Sequence, residues 1–180
     1  MKTSTAVPVL VLVATLGGVW FWTNKNHVTP VQNITGYKNT TYTIEGQPVT
    51  LINGHAEAAA APGSASKIVT DYFGNEAVGD LNGDGVPDVA FILTQSGGGS
   101  GTFYFAVAAL KTATGYQGTN GILLGDRIAP QTTEIAGGQL VVNYADRTVD
   151  EPMSTRPSVG VSRYLKVTGT TLAPAASVSK

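Results

Sequence analysis

Asp80, Asn82, Asp84 and Asp88 lie in the run GDLNGDGVPDVAF, Gly79 to Phe91, and place side-chain oxygens at positions 1, 3, 5 and 9 of a nine-residue spacing. The chain holds only 12 acidic residues in 180, yet three of them fall within these nine positions. Asp71 and Glu76 stand just upstream, and no Lys or Arg occurs between Lys67 and Lys111. Two carboxylates about 4 Å apart repel by roughly 4 kcal/mol at an effective dielectric near 20. A divalent cation is the simplest compensation, and an oxygen-only set favours Ca²⁺ over Zn²⁺ or Cu²⁺. Mg²⁺ suits a flexible loop less, because it demands near-ideal octahedral geometry.

The spacing D-x-N-x-D-G-x-x-D matches the first three-quarters of an EF-hand loop. Val86 at position 7 would offer its backbone carbonyl, and Gly85 at position 6 permits the sharp turn around an ion. The expected ligands are therefore Asp80, Asn82, Asp84, Val86 and Asp88. Position 12, a bidentate Glu in an EF-hand, is Phe91 here. Water or an acid from elsewhere must complete the shell, and the chain leaves the loop into a strand. Calcium is abundant outside cells, so such a site is a permanent staple rather than a sensor. The competing interpretation is a pair of solvated Asp/Asn/Gly turns.

Other motifs offer less chemistry. The Gly-rich run SGGGSG, Ser96 to Gly101, fails G-x-G-x-x-G because Thr102 stands in place of the last Gly, and no G-K-[ST] occurs, so no nucleotide is expected. G-x-S-x-G also fails around Ser100. His27 and His55 are too few for a zinc site, and a Ser-His-Asp arrangement through His55 has no supporting motif. With no cysteine there are no disulfides, thiolate zinc sites, Cys nucleophiles or lipidated Cys. A formal net charge of −1 supplies no basic field for nucleic acid. Asp126-Arg127 and Asp146-Arg147 are the best polar pairs in apolar surroundings. They suggest structural ion pairs or Asx turns before a ligand rim. A hydrolase using Asp126, Glu134 or Asp146 is the catalytic alternative.

The elements that must hold the acidic loop are strands. Gly, Thr and Val are frequent, which favours strands joined by turns. Tyr42 and Ile44 alternate before Gly46, and Val49 and Leu51 after it; Asn53-Gly54 is a strong turn signal. The run 58–66 is loop-like, and KIVTDYF is open between strand and helical turn. VAFILTQ, Val89 to Gln95, predicts a buried strand, SGGGSG turns the chain, and TFYFAVAAL runs back. Alternation sends Phe103 and Phe105 to one face and Tyr104 to the other, making Tyr104 the expected surface aromatic. TEIAGGQLVVNYADR predicts a hairpin turning at Gly137-Gly138 with Leu140, Val142 and Tyr144 on one face. SVGVSRYLKV and TGTTLAP supply the last strands. The expectation is a mainly β domain over 41–180, an antiparallel sandwich or barrel of about seven or eight strands.

Ahead of it, residues 6–22 (AVPVLVLVATLGGVWFW) carry no charge. With uncharged flanks from Thr3 to Thr23 they span about 31 Å as a helix, enough for a hydrocarbon core of about 30 Å. Trp20, Phe21 and Trp22 suit an interfacial aromatic belt, and Lys2 favours the N-terminus inside. The expectation is a membrane anchor over 1–23, a polar linker over 24–40 with sequons at Asn33 and Asn39, and the bulk of the chain outside the cytoplasm. A cleaved signal peptide is the alternative, although no small-x-small site follows the aromatics.

The loop GDLNGDGVPDVAF resembles the calcium loops of FG-GAP/VCBS-type repeats and, less closely, those of dockerins. GDLNGDGVPDVAFIL, GGGSGTFYFAVAAL, LGDRI and VVNYADRTVDEPM together resemble uncharacterised extracytoplasmic bacterial proteins of the LppP/LprE lipoprotein type. The resemblance implies an exported, envelope-bound β-rich domain. This chain departs from that type in lacking the lipidated Cys. Taken together, the sequence points to an anchored, calcium-stabilised binding or interaction domain. Its alternatives are a hydrolase acting on an envelope component and a self-associating surface subunit.

Overall fold

The computed structural model describes residues 36–177. The expected anchor and most of the linker lie outside the described residues, among which no helix is long and apolar enough to cross a membrane. The protein is mainly β. A 3₁₀ turn, Gly36–Asn39, precedes strands β1 (Thr41–Ile44), β2 (Gln47–Thr50), β3 (His55–Ala59), β4 (Lys67–Gly79), β5 (Asp88–Ser96) and β6 (Phe103–Thr112). There follow β7 (Gly115–Gly118), β8 (Ile122–Asp126), β9 (Ala129–Ala136), β10 (Gln139–Asp146), β11 (Val159–Thr168) and β12 (Thr171–Pro174).

These strands form three antiparallel sheets among the described residues. β1 and β2 make a hairpin, β12-β11-β10-β9 a four-stranded sheet, and β3-β4-β5-β6-β7 the central sheet, with β8 also paired to β6. β7 takes the Ala109–Thr112 half of that strand and β8 the Phe103–Ala106 half. Among the described residues twelve strands therefore replace the seven or eight expected. The excess comes from short pieces such as GYQG and ILLGD, too brief for a periodic signal.

The central sheet is buried on both faces. Ala90, Ile92, Ala106 and Ala108 pack against Leu140, Val142, Tyr144 and Leu165 of the four-stranded sheet. Phe91, Leu93, Phe105 and Val107 point the other way and pack under Tyr37, Tyr42, Ile44 and Leu51. Covering both faces makes β5 and β6 near-continuous apolar runs; Asp88 to Leu93 are six consecutive buried residues. Full burial of each large apolar side chain contributes about 1.5–3 kcal/mol.

The turns follow their local chemistry. Glu45-Gly46, Asn53-Gly54 and Gly137-Gly138 all have positive φ at both residues, the type I′ geometry of two-residue hairpins. KIVTDYF, left open by the sequence, is strand. The folded domain begins earlier than residue 41. Tyr37, in the segment expected as linker, is only 7 % exposed and packs in the core beside Phe91. Asn39 serves the same segment, its Oδ1 accepting the Asn53 N–H at 2.8 Å.

β4 is irregular where it matters for the site. Its register against β5 shifts between Tyr72 and Gly74 and again between Gly74 and Ala77. Gly74 and Asn75 have φ of 108° and 57°. A bulge of this kind re-aims side chains. Asn75 reaches Thr133 Oγ1 of β9 at 3.0 Å, while Glu76 meets Tyr37 and Tyr72.

Candidate functional site

The acidic loop joins β4 to β5. Each polar side chain bends the backbone that follows it. Asp80 accepts the N–H of Gly83 on Oδ1 at 2.7 Å and that of Gly85 on Oδ2 at 3.0 Å. Asn82 Oδ1 accepts the Asp84 N–H at 2.9 Å, and Asp84 Oδ1 accepts the Val86 N–H at 2.7 Å. Gly83 and Gly85 take φ of 82° and 81°, a left-handed conformation that glycine adopts without a Cβ penalty. Phe91, at position 12, is core, with ring centroids 5.4 Å from Tyr37 and 5.5 Å from Tyr42.

Asp88 stands apart from the other three. It is fully buried; Oδ2 accepts the Leu81 N–H at 3.0 Å and Oδ1 the Lys111 N–H at 2.8 Å. It thus stitches the start of the loop to its end and both to β6. Among the described residues no Lys, Arg or His pairs with Asp80, Asp84 or Asp88. A buried carboxylate without a countercharge is expensive unless hydrogen-bonded or paired.

The donor chemistry suits Ca²⁺, since every side chain offered is an oxygen acceptor on a tightly wound backbone. Convergence is less complete. No three acidic or imidazole side chains among the described residues gather as a metal set. Asn82 Nδ2 instead donates to Asp84 Oδ2 at 3.0 Å. Both side chains are exposed, so turning that amide sacrifices two exposed hydrogen bonds, that one and the Asp84 N–H on Oδ1, at about 1 kcal/mol net for each.

A cleft of about 460 Å³ opens beside this loop. Val86 and Pro87 of the loop form one wall, with Val78 and Val89 from the flanking strands. Tyr37, Tyr116, Glu76 and Lys111 complete it. Sequence reasoning missed this site. Tyr37 lay in the expected linker, and Glu76 counted only as one more acid upstream. No local signal joins residues 39 positions apart.

Glu76 is the hub. Its Oε1 accepts the Tyr37 hydroxyl at 2.5 Å and also the Tyr72 hydroxyl. Lys38 Nζ lies 3.7 Å from that oxygen and 3.7 Å from the Tyr72 ring centroid. Burial pushes the Glu76 carboxyl up, but the two hydroxyls and the Lys38 ammonium outweigh it and hold the group below its ordinary range. Burial, then the hydrogen bond to Glu76 and its charge, pushes the Tyr37 hydroxyl up to about 12. Tyr72 is raised by the same causes. Lys111 Nζ sits 4.4 Å from the Tyr116 ring centroid and makes no ion pair among the described residues.

The two Asp-Arg pairs meet at one rim. Arg127 Nη2 lies 3.0 Å from Asp126 Oδ2, and Asp126 Oδ1 accepts the Thr102 N–H at 2.8 Å. Burial pushes the Asp126 carboxyl up, but Arg127, the Thr102 N–H and Arg147 together hold it below its usual range. Asp146 Oδ1 accepts the Arg147 N–H at 2.8 Å. The Arg147 guanidinium donates to the carbonyls of Asp126, Arg127 and Thr155. Each charge is thus committed to holding loops.

His55 Nδ1 lies 2.7 Å from Asp71 Oδ1, but its Nε2 faces Glu57 Oε1 at 3.7 Å rather than a serine. Tyr104 is not the surface aromatic. It is half-buried against the core, with its ring 5.4 Å from Phe73, while Phe103 is 42 % exposed. Phe103 begins β6, and the covering layer of Tyr37, Tyr42, Ile44 and Leu51 takes in Phe105 but not Phe103.

Compared with known proteins, the chain matches no family model, no curated protein and no solved structure.

Proposed function

We propose that this chain is a noncatalytic binding domain held at a membrane by its N-terminal segment. Its β sandwich lies outside the cytoplasm and is stapled by Ca²⁺ in the Asp80–Asp88 loop. The observation that carries the calcium reading is the loop's charge. Asp80, Asp84 and the buried Asp88 stand within one tightly wound all-oxygen loop, and no cationic side chain among the described residues pairs with any of them. The apolar run 6–22 supports the anchor. The engagement of Asp126 with Arg127 and the Thr102 N–H speaks against its use as a hydrolase's general acid, since a carboxylate held ionised by such partners is a poor proton donor.

Thermal unfolding of the full chain with calcium and with EGTA tests the reading. A ligand binding only the folded state at 100-fold its Kd adds about 2.7 kcal/mol, which appears as a rise of several degrees in the midpoint. Asp84→Ala should abolish that rise. A midpoint indifferent to calcium, chelator and substitution reduces DLNGDGVPD to a pair of turns.

A further inference from the structure

The cleft beside the loop carries charge that the fold does not use up. Lys111 and Glu76 line the same cavity yet do not pair with each other. Glu76 accepts its hydrogen bonds on Oε1, leaving Oε2 without a donor among the described residues. Lys38 already pairs with Glu76, so the Lys111 ammonium is the charged group of the cleft lining that has no ion-pair partner among the described residues. The same cavity is lined by Val78, 66 % exposed, Val86, 42 % exposed, and Pro87. A mixed cavity of about 460 Å³ falls within the roughly 300–1,000 Å³ of small-molecule sites.

These groups define the complementary ligand. That ammonium calls for one carboxylate. The valine and proline wall calls for an aliphatic body, and a free carboxylate oxygen for a neutral N–H or O–H donor. Sugar stacking is disfavoured because Lys111 covers the Tyr116 ring and Tyr37, the other lining tyrosine, is buried with Lys38 over its ring. We propose that the cleft binds the C-terminus of a peptide ending in an apolar residue. The terminal carboxylate lies on Lys111, the last side chain on Val78, Val86 and Pro87, and the last amide N–H on Glu76 Oε2. This names the ligand class of the binding-domain reading and rests on it. Because Val86 and Pro87 belong to the acidic loop, an ion that fixes the loop also fixes one wall of the cleft.

The probe is acetyl-alanyl-leucine, titrated calorimetrically into the full chain with calcium and with EGTA, beside the same peptide as its C-terminal amide. The expected result is saturable 1:1 binding, at least tenfold weaker for the amide. Lys111→Met should weaken the acid to the level of the amide, since the Met stem keeps the packing on Tyr116. Val78→Trp, at an exposed position, should block the cleft without lowering the melting midpoint. No binding, or equal binding of acid and amide, overturns the proposal. So does indifference to both substitutions in variants that melt normally. Binding that persists in EGTA, in a chain whose melting ignores calcium, leaves the cleft standing and removes the calcium staple. A calcium-dependent melt without peptide binding does the reverse.

Discussion

Asp88 Oδ1 accepts the backbone N–H of Lys111 at 2.8 Å, so the residue that closes the acidic loop also fixes the strand carrying the ammonium of the cleft. Its other oxygen takes the Leu81 N–H at 3.0 Å. The carboxylate is wholly buried, and deleting it strands two backbone donors away from water.

Leaving a buried donor unsatisfied costs about 1–3 kcal/mol. Asp88→Ala should therefore destabilise the domain by roughly 2–5 kcal/mol in urea unfolding without calcium. Asp88→Asn keeps one acceptor but turns an amide towards the second donor, and should fall between. Asp84→Ala, on the exposed part of the loop, should cost under about 1 kcal/mol in the same buffer. Equal losses at positions 84 and 88 would mean that the two N–H groups held by the buried Asp88 matter no more to the fold than the exposed turn at Asp84.

The cluster around Glu76 predicts an alkaline signature. Burial and Glu76 push the folded Tyr37 hydroxyl up to about 12, against about 10 when unfolded. Its folded pKa is raised, so the folded state holds the proton more tightly. That stability is fully present below pH about 10 and is lost as pH rises towards 12. Glu76 has the opposite sign: its folded pKa is lowered, so its contribution holds above the ordinary carboxylate range and fades as pH falls through the lowered value. Burial raises Tyr37 most, and Glu76→Gln removes the carboxylate charge that adds to it. Ultraviolet difference spectra of that variant against Tyr37→Phe should show Tyr37 ionising at lower pH. An unchanged tyrosine titration would detach Glu76 from the cluster.

Much of the frame was legible because it is local. Asn53-Gly54 and Gly137-Gly138 mark two-residue turns by themselves, and the run after Asp88 is apolar enough to demand burial. Leu140, Val142 and Tyr144 alternate, and all three are buried. The cleft was not legible, for equally physical reasons. Glu76 faces Tyr37 only because β4 carries extra residues near Gly74, and strict alternation cannot foresee a bulge. Tyr37 follows Asn-rich, Thr-rich sequence that resembles linker until Phe91 and Tyr72 are brought beneath it. Phe103 and Phe105 share a face by alternation, yet one is exposed and the other buried, because coverage depends on the neighbouring layer.

His55 predicts a second titration of opposite practical range. Its hydrogen bond to Asp71 and its proximity to Glu57 raise its pKa above the ordinary histidine value, against a smaller opposing effect of burial. The staple between β3 and β4 is then present below pH about 6.5 and is lost as pH rises through the raised value. Asp71→Asn should lower the His55 imidazole midpoint measured by proton NMR, and Glu57→Gln should lower it less. A His55 midpoint indifferent to Asp71 would show that the 2.7 Å contact does not persist in solution.

The hairpin layer above the central sheet depends on one absent side chain. A Cβ at Gly118 would lie 2.3 Å from the Thr41 carbonyl oxygen and 2.7 Å from Tyr42 Cδ1. Backbone cannot give way as a flexible side-chain tip does, so β1 must lift off β7. Overpacking of this kind costs about 1–3 kcal/mol and sometimes more, and here it also prises Tyr42 from Phe91, 5.5 Å away by ring centroids. Gly118→Ala should lose at least 2 kcal/mol by that reasoning, with faster hydrogen exchange across Thr41–Thr50 while β9–β12 stay protected. Gly99→Ala, where a Cβ meets nothing within 4 Å, is the matched control and should change stability by less than about 0.5 kcal/mol. Equal effects at the two glycines would mean that β1 does not rest on β7 in solution.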